Sequence, residues 1–194
     1  LQAIQPHSRR TLVRVPANEF SVIGWALDMG ATGVIVPLVN SAADAEAAIR
    51  AARYPPDGDR SMGPTRAIRI FGEACVEQAG GAIQCIPMIE TRRALENLDE
   101  ILAVPGVDLV YVGPSDLSVN LGLGRGNNDG DPAFDEALAA ILDACRRHSV
   151  VPGIHSNASL AKRRLEAGFR VLTVAEDDTA MLSGLTAVLD DLGR

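Results

Sequence analysis

An α/β barrel of the (β/α)8, or TIM, type is the fold class that this sequence predicts, and three observations carry it. Short apolar runs rich in β-branched residues alternate with amphipathic helical patterns. Glycine or proline punctuates the junctions, where one element must end before the next begins. No G-x-G-x-x-G follows the first visible strand, so a dinucleotide-binding crevice in an open doubly wound sheet is disfavoured.

Taken in order, TLVRV (11–15) reads as a first strand and residues 18–29 as a helix that MGATG ends. GVIVPLV (33–39) follows as a strand, then an Ala-rich helix over 41–52 for which Asn40 and Ser41 are the candidate caps. RYPPDGDRSMGPTRA (53–67) is too rich in proline and glycine for either element and is the longest expected loop. A helix over 66–79 leads to the strand AIQCIPMI (82–89), and TRRALENLDEIL continues as a helix over 91–103. VPGVD turns the chain into DLVYVGP (108–114). Helices over 132–148 and 157–167 flank VVPGIH (150–155), GFR introduces RVLTVA (170–175), and a last helix is expected over 178–192.

Six strands alternating with helices imply βαβ units, right-handed crossovers and a parallel sheet. A complete barrel has eight strands and commonly about 250 residues. The 194 residues open on LQAIQP, which reads as the end of a helix. The expectation is therefore a single barrel domain over residues 1–194, incomplete at its N-terminus and lacking its first two βα units.

Composition narrows the function. Hydrophobic residues make up 47% and aromatic residues only 4%, which suits an Ala/Val/Leu/Ile-packed α/β core and not a base-stacking platform. A formal charge of -7 argues against nucleic acid, whose binding rests on clustered Lys and Arg. Small molecules are the expected partners. Cys75, Cys85 and Cys145 are odd in number and show no C-x-x-C spacing, which fits a reducing cytoplasm. No secretory leader and no apolar run of about 18 residues is visible, so neither secretion nor a membrane span is expected.

In a barrel the catalytic face lies at the C-terminal ends of the strands. Glu90 closes CIPMI and Asp116 follows DLVYVGP, on consecutive strands about 4.8 Å apart. Both carboxylates can reach one hard divalent cation, with water and a chelating substrate completing its shell. The alternative is that Glu90 caps the next helix and Asp116 a turn. Arg14 interrupts a strand expected to face packed surroundings, where a guanidinium needs an anion. It is a candidate clamp for a substrate carboxylate or enolate, against the alternative of a rim arginine paired with Glu19. After Gly113 and Pro114, the amides of Ser115 and Asp116 offer a small anion nest. His155 ends a strand and can face the mouth; His7 and His148 read as surface positions, and Asp28 as a solvated helix end.

The segments LVRVP, LDMGATGVIVPLV, RYPPDGDRSMG, IPMIET and NLDEILAVPGVDLVYVGPSDLSVNLG together resemble the class II pyruvate aldolases of the 4-hydroxy-2-oxoheptanedioate aldolase family, relatives of the citrate lyase β-subunit. The resemblance covers nearly the whole chain. It implies a hexameric (β/α)8 barrel that binds a divalent metal (Mg²⁺, Mn²⁺ or Co²⁺) through Glu90 and Asp116. It implies further that a 2-oxo acid chelates the metal while the amides of Ser115 and Asp116 hold its carboxylate. Arg14 then steadies the enolate oxygen as retro-aldol cleavage releases pyruvate and an aldehyde.

Three departures from the pattern matter. The family's catalytic histidine lies upstream of the arginine, and no residue before Arg14 matches it; its aspartate partner aligns with Asp28. Relatives acting on long dicarboxylates often carry glutamine where this chain has Met88, and a thioether cannot replace an amide's hydrogen bonds. Near the last strand Glu176, Asp177 and Asp178 form an acidic rim that disfavours a second carboxylate on the aldehyde. The competing readings are an acyl-CoA lyase, which requires a basic groove, and a metal-binding barrel without catalysis.

Overall fold

The computed structural model describes residues 1–4, 10–77 and 83–193. His7, residues 78 and 79 of the predicted third helix and the first residue of the predicted 82–89 strand lie outside these. Six strands form one sheet: β1 (Leu12–Arg14), β2 (Gly33–Val36), β3 (Gln84–Ile89), β4 (Leu109–Val112), β5 (Val151–His155) and β6 (Val171–Thr173). Every neighbouring pair is parallel, and the order in space is the order in sequence. A doubly wound sheet reverses its order at a switch point. This one does not, so its winding is that of part of a barrel.

The strand period of two divides the sheet cleanly. Val34, Val36, Cys85, Ile89, Val110, Val112 and Ile154 point outward and join the helices in one apolar core. Ile86, Met88 and Tyr111 point inward and pack with Ile35, Leu109 and Val171, all from strands. By the same alternation Arg14, Glu90, Gly113, His155 and Thr173 fall on the inward side at the C-terminal ends.

The helices follow the local chemistry. Ser41 caps α2 (Ala42–Ala52) by accepting from the Asp44 N–H, and Asp44 accepts in return from the Asn40 N–H. Asp131 caps and Pro132 opens α8 (Pro132–His148), and Asn157 caps α9 (Ala158–Ala167). The predicted helix over 66–79 is divided at Gly72 (φ 81°) into α3 (Thr65–Phe71) and α4 (Ala74–Glu77). The one over 91–103 breaks at Asn97 into α5 (Arg92–Glu96) and α6 (Leu98–Leu102). Two helices complete the set needed here: α1 (Phe20–Asp28) and the short α7 (Pro114–Asn120), which the sequence presents only as a loop. The last, α10 (Asp177–Asp191), buries none of its residues.

Cys75, Cys85 and Cys145 are free thiols, and burial pushes Cys85 up to about 12, so its thiol is protonated at neutral pH. Among the described residues no helix is long and apolar enough to cross a membrane.

Candidate active site

Glu90 leaves β3 as an inward-facing residue and is buried, 1% exposed. It does not cap the following helix. Thr91 does that, accepting from the Ala94 N–H at 3.0 Å. One Glu90 oxygen, Oε1, instead accepts from the Leu38 N–H at 2.8 Å. Leu38 holds a left-handed backbone (φ 54°), a conformation unfavourable for a leucine, and its amide supports the carboxylate from the end of β2. The other oxygen, Oε2, is buried with no hydrogen-bond partner among the described residues. Burial raises the Glu90 pKa most strongly; the Leu38 amide opposes this, the Asp116 charge adds to it and Arg14 counters it.

Gly113 makes room for that oxygen. A Cβ at this position would stand 2.3 Å from Glu90 Oε2 and 2.9 Å from Met88 Cε. Gly113→Ala is therefore expected to displace the carboxylate and weaken Mn²⁺ binding by about 10–100-fold, the range for lost support of a ligand. Overpacking costs about 1–3 kcal/mol of stability as well. Calorimetric Mn²⁺ titration and thermal melting of the variant check the two effects separately.

Glycine at 113 is followed by Pro114 at the first helical position of α7, and the helix start has no side-chain cap. The amides of Ser115 and Asp116 lie in that first turn, before the Leu117 N–H closes it on the Gly113 carbonyl at 2.9 Å. The Asp116 carboxylate is exposed and makes no side-chain hydrogen bond or ion pair among the described residues. Its field reaches Glu90, as the latter's raised pKa records.

A cavity of about 290 Å³ is lined among others by Arg14, Met88, Gly113, Ser115, Asp116 and His155, with Glu90 beneath it against Gly113. It lies at the lower end of the roughly 300–1,000 Å³ usual for small-molecule sites. Tyr111 and Thr173 form its floor, joined hydroxyl to hydroxyl. The tyrosine ring reaches β6 across β5 because Gly153 stands between: a Cβ there would meet Tyr111 Cδ2 at 2.9 Å.

Arg14 sits in the cavity but not in packed surroundings. It is exposed among the described residues, where β1 pairs only with β2. It has no ion pair with Glu19 or any other described residue, which leaves its guanidinium available to an anion in the cavity. Its side chain lines the mouth of the cavity.

Asp28 is the candidate that the fold does not bring there. It ends α1, and a crossover helix runs back toward the N-terminal ends of the strands, away from the cavity. Its carboxylate pairs with Arg60 at 2.7 Å, and the Arg60 side chain is buried, 3% exposed, and stacked 4.5 Å over the Tyr54 ring. Within this chain Asp28 is therefore not a lining residue of the cavity, and the catalytic role is one that the family resemblance alone implies.

His155 does face the mouth. Its Nε2 lies 3.0 Å from Glu176 Oε1, a pairing that no sequence spacing announced. The Leu38 amide and the Tyr111–Thr173 floor were equally illegible, since each is a contact across strands.

Whether a divalent metal fits can be judged from these atoms. An unpartnered buried carboxylate oxygen, an open second carboxylate and a glycine that a methyl group would block are features that would fit a hard cation. No cluster of three or more His, Cys, Asp or Glu ligands occurs among the described residues. Two protein ligands, with the rest of the shell left to water and substrate, is the pattern of Mg²⁺-type sites, not of closed zinc sites.

Comparison with known proteins agrees with the geometry. The family model HpcH/HpaI aldolase/citrate lyase matches residues 1–183. The chain belongs to the HpcH/HpaI aldolase/citrate lyase family. It is 40% identical to a 4-hydroxy-2-oxo-heptane-1,7-dioate aldolase of Klebsiella pneumoniae over 97% of this chain and 72% of that protein. It is 38% identical to a 2-dehydro-3,6-dideoxy-6-sulfogluconate aldolase of Pseudomonas putida, covering 97% of this chain and 74% of the relative. Among solved structures, a HpcH/HpaI family protein from Burkholderia cenocepacia superposes with a TM-score of 0.85 at 31% identity, over 94% of this chain and 73% of that one. The family resemblance carried by the sequence segments is thereby established.

Proposed function

We propose that this family member is a divalent-metal-dependent class II aldolase, a carbon–carbon lyase that reversibly cleaves a 4-hydroxy-2-oxo acid to pyruvate and an aldehyde. The observation that carries the reading is Glu90 Oε2: buried, unpartnered and lying against Gly113, which lines a cavity together with Asp116 and Arg14. Membership in a family whose similar relatives are named aldolases supports it.

Glu90 and Asp116 hold Mg²⁺, Mn²⁺ or Co²⁺ in this proposal. A bound divalent cation supplies positive charge at the keto oxygen of the 2-oxo acid, making electrons at C3 easier to accept. The chain's own groups do the rest. The first-turn amides of α7, from Ser115 and Asp116, hold the substrate carboxylate, with Gly113 and Pro114 setting their direction. Arg14 donates to the developing enolate oxygen from the opposite wall. No lysine lines the cavity to form a Schiff base.

The finer points of architecture belong to the same proposal. The unreversed strand order, the helices on one face only and the open edges at β1 and β6 support a (β/α)8 barrel of which these are six units. Exposed Met181, Leu182, Leu185 and Leu189 on α10 support a homo-oligomer, a hexamer by family resemblance. The free cysteines support a cytoplasmic location.

Incubation of the protein with pyruvate and Mn²⁺ in D₂O tests the reading. Deuterium is expected to enter the pyruvate methyl group in a metal-dependent manner. A methyl signal that stays unexchanged with bound Mn²⁺ overturns the enolate mechanism.

A further inference from the structure

We propose that a second cavity, at the N-terminal ends of β2 and β3, binds a small carboxylate with a compact apolar body, and that Arg60 and Tyr54 hold its head.

This cavity has a volume of about 290 Å³. Thr32 and Ile83, which line it, immediately precede β2 and β3 and so place it at the N-terminal ends of the strands. It shares no lining residue with the cavity of Arg14 and Asp116, which opens at the opposite ends. Occupation of one leaves the other open.

Leu27 of α1 and Ala67 and Phe71 of α3 give the cavity an apolar wall, the last two one helical turn apart. The polar end comes from the loop between α2 and α3. That loop is pinned to the end of α2: Arg50 donates to both Asp59 oxygens at 2.7 and 2.8 Å, and the Arg60 N–H donates to the Arg53 carbonyl at 2.9 Å. The buried Arg60 side chain places Nη2 on Asp28 and its guanidinium over the Tyr54 ring. Its Nε is buried too, and has no hydrogen-bond partner among the described residues. A buried donor is ordinarily satisfied by protein, water or a ligand, and Arg60 lines this cavity.

The free polar groups here are donors. The Tyr54 hydroxyl makes no hydrogen bond among the described residues, and burial raises its pKa, so it keeps its proton at neutral pH. The Thr32 hydroxyl is already engaged, accepting from the Thr11 N–H at 2.8 Å and donating to the Thr11 carbonyl at 3.2 Å. No carboxylate lines the cavity. Donors without an acceptor call for an acceptor on the ligand, and a carboxylate makes the strong, charge-assisted bond to a guanidinium. The apolar wall suits a ring or branched chain behind that head.

A thiol inside the cavity makes occupancy readable. Cys75 lines it and is half-buried, whereas burial holds Cys85 and Cys145 up at about 12 and about 11, protonated and unreactive. Alkylation of Cys75 by iodoacetamide in the full chain, without added metal, is followed by peptide mass spectrometry with benzoate as the probe. Benzoate at ten times its Kd is expected to slow the reaction about 10-fold by mass action. Benzamide, of the same size but uncharged, is expected to bind about 10–100-fold more weakly, the worth of a hydrogen bond to a charged group. Tyr54→Phe keeps the ring beneath Arg60 and is expected to weaken benzoate about 10-fold in a calorimetric titration. Ala67→Leu fills the cavity while leaving Arg60 in place, and is expected to abolish calorimetric binding of benzoate. Unchanged Cys75 alkylation at up to about 10 mM benzoate, beyond the millimolar end of the affinity scale, overturns the site. Equal protection by benzamide overturns the carboxylate class, an unchanged Kd in Tyr54→Phe overturns the part of its hydroxyl, and binding retained in Ala67→Leu overturns the location.

Discussion

Glu90→Gln is expected to abolish the metal site while making the metal-free protein more stable. Glutamine keeps an oxygen for the Leu38 amide but removes the charge from a side chain that is 1% exposed and has one unpartnered oxygen. The amide NH2 takes the place of the unpartnered oxygen, so the gain expected in the metal-free variant near pH 8 comes from the removed charge, about 1.4 kcal/mol for each unit by which the folded pKa is raised. The sign follows from the raised pKa of Glu90. The unfolded chain loses this proton near the ordinary value of about 4.3, the folded chain only at higher pH. Metal-free wild type therefore loses stability as pH rises from about 4.3 through the folded pKa, and the variant lacks that loss.

Metal reverses the order. At a free concentration of about 100 times Kd, a ligand stabilises the folded state by about 2.7 kcal/mol, which wild type gains and Glu90→Gln does not. The variant's Mn²⁺ affinity is expected to fall at least about 100-fold, the upper end of what loss of a mere supporting group costs. Because the proton competes with the metal for Glu90, wild-type affinity should decline on acidification while the pH is still above about 4.3. Thermal melts from pH 4 to 8, with and without Mn²⁺, measure all three effects. Wild-type Mn²⁺ affinity in Glu90→Gln would remove Glu90 from the site.

Arg14→Ala is expected to separate chemistry from metal binding. The guanidinium is exposed at the edge strand and holds no described residue, so its loss should change stability by no more than about 0.5 kcal/mol. In the cavity it is the arginine that shares the lining with Ser115 and Asp116. Removing a donor to a developing oxyanion costs about 10²–10³ in kcat, and both exchange and carbon–carbon cleavage should drop by that factor. Arg14→Lys keeps the charge but loses the planar fork, and partial recovery is expected. Parallel loss of Mn²⁺ affinity and rate in Arg14→Ala would give the residue a structural role instead.

The comparison of sequence with structure turns on particular residues. Met88 and Glu90 share an inward face with Ile86 because alternate residues of a strand share a face, a rule that needs no tertiary information. Asp116 follows from the same logic applied to β4 and the Gly-Pro turn. The Gly113 cradle does not, because a missing Cβ has meaning only once the Glu90 oxygen is known to lie 2.3 Å from where it would be. Asp28 was singled out by resemblance alone, and within one chain a helix antiparallel to the strands delivers its C-terminus to the other end of the sheet.

By itself, then, the sequence determined the alternating parallel fold, the inward periodicity, the cap at Ser41, and the two carboxylates at strand ends. These depend on neighbours within a few positions, where backbone preference and side-chain period act directly. Only the tertiary structure decided which oxygen of Glu90 is left unpartnered, that Leu38 holds the other, and that Glu176 takes His155. Each is a contact between residues at least 21 positions apart, fixed by strand register and crossover packing and not by any local pattern.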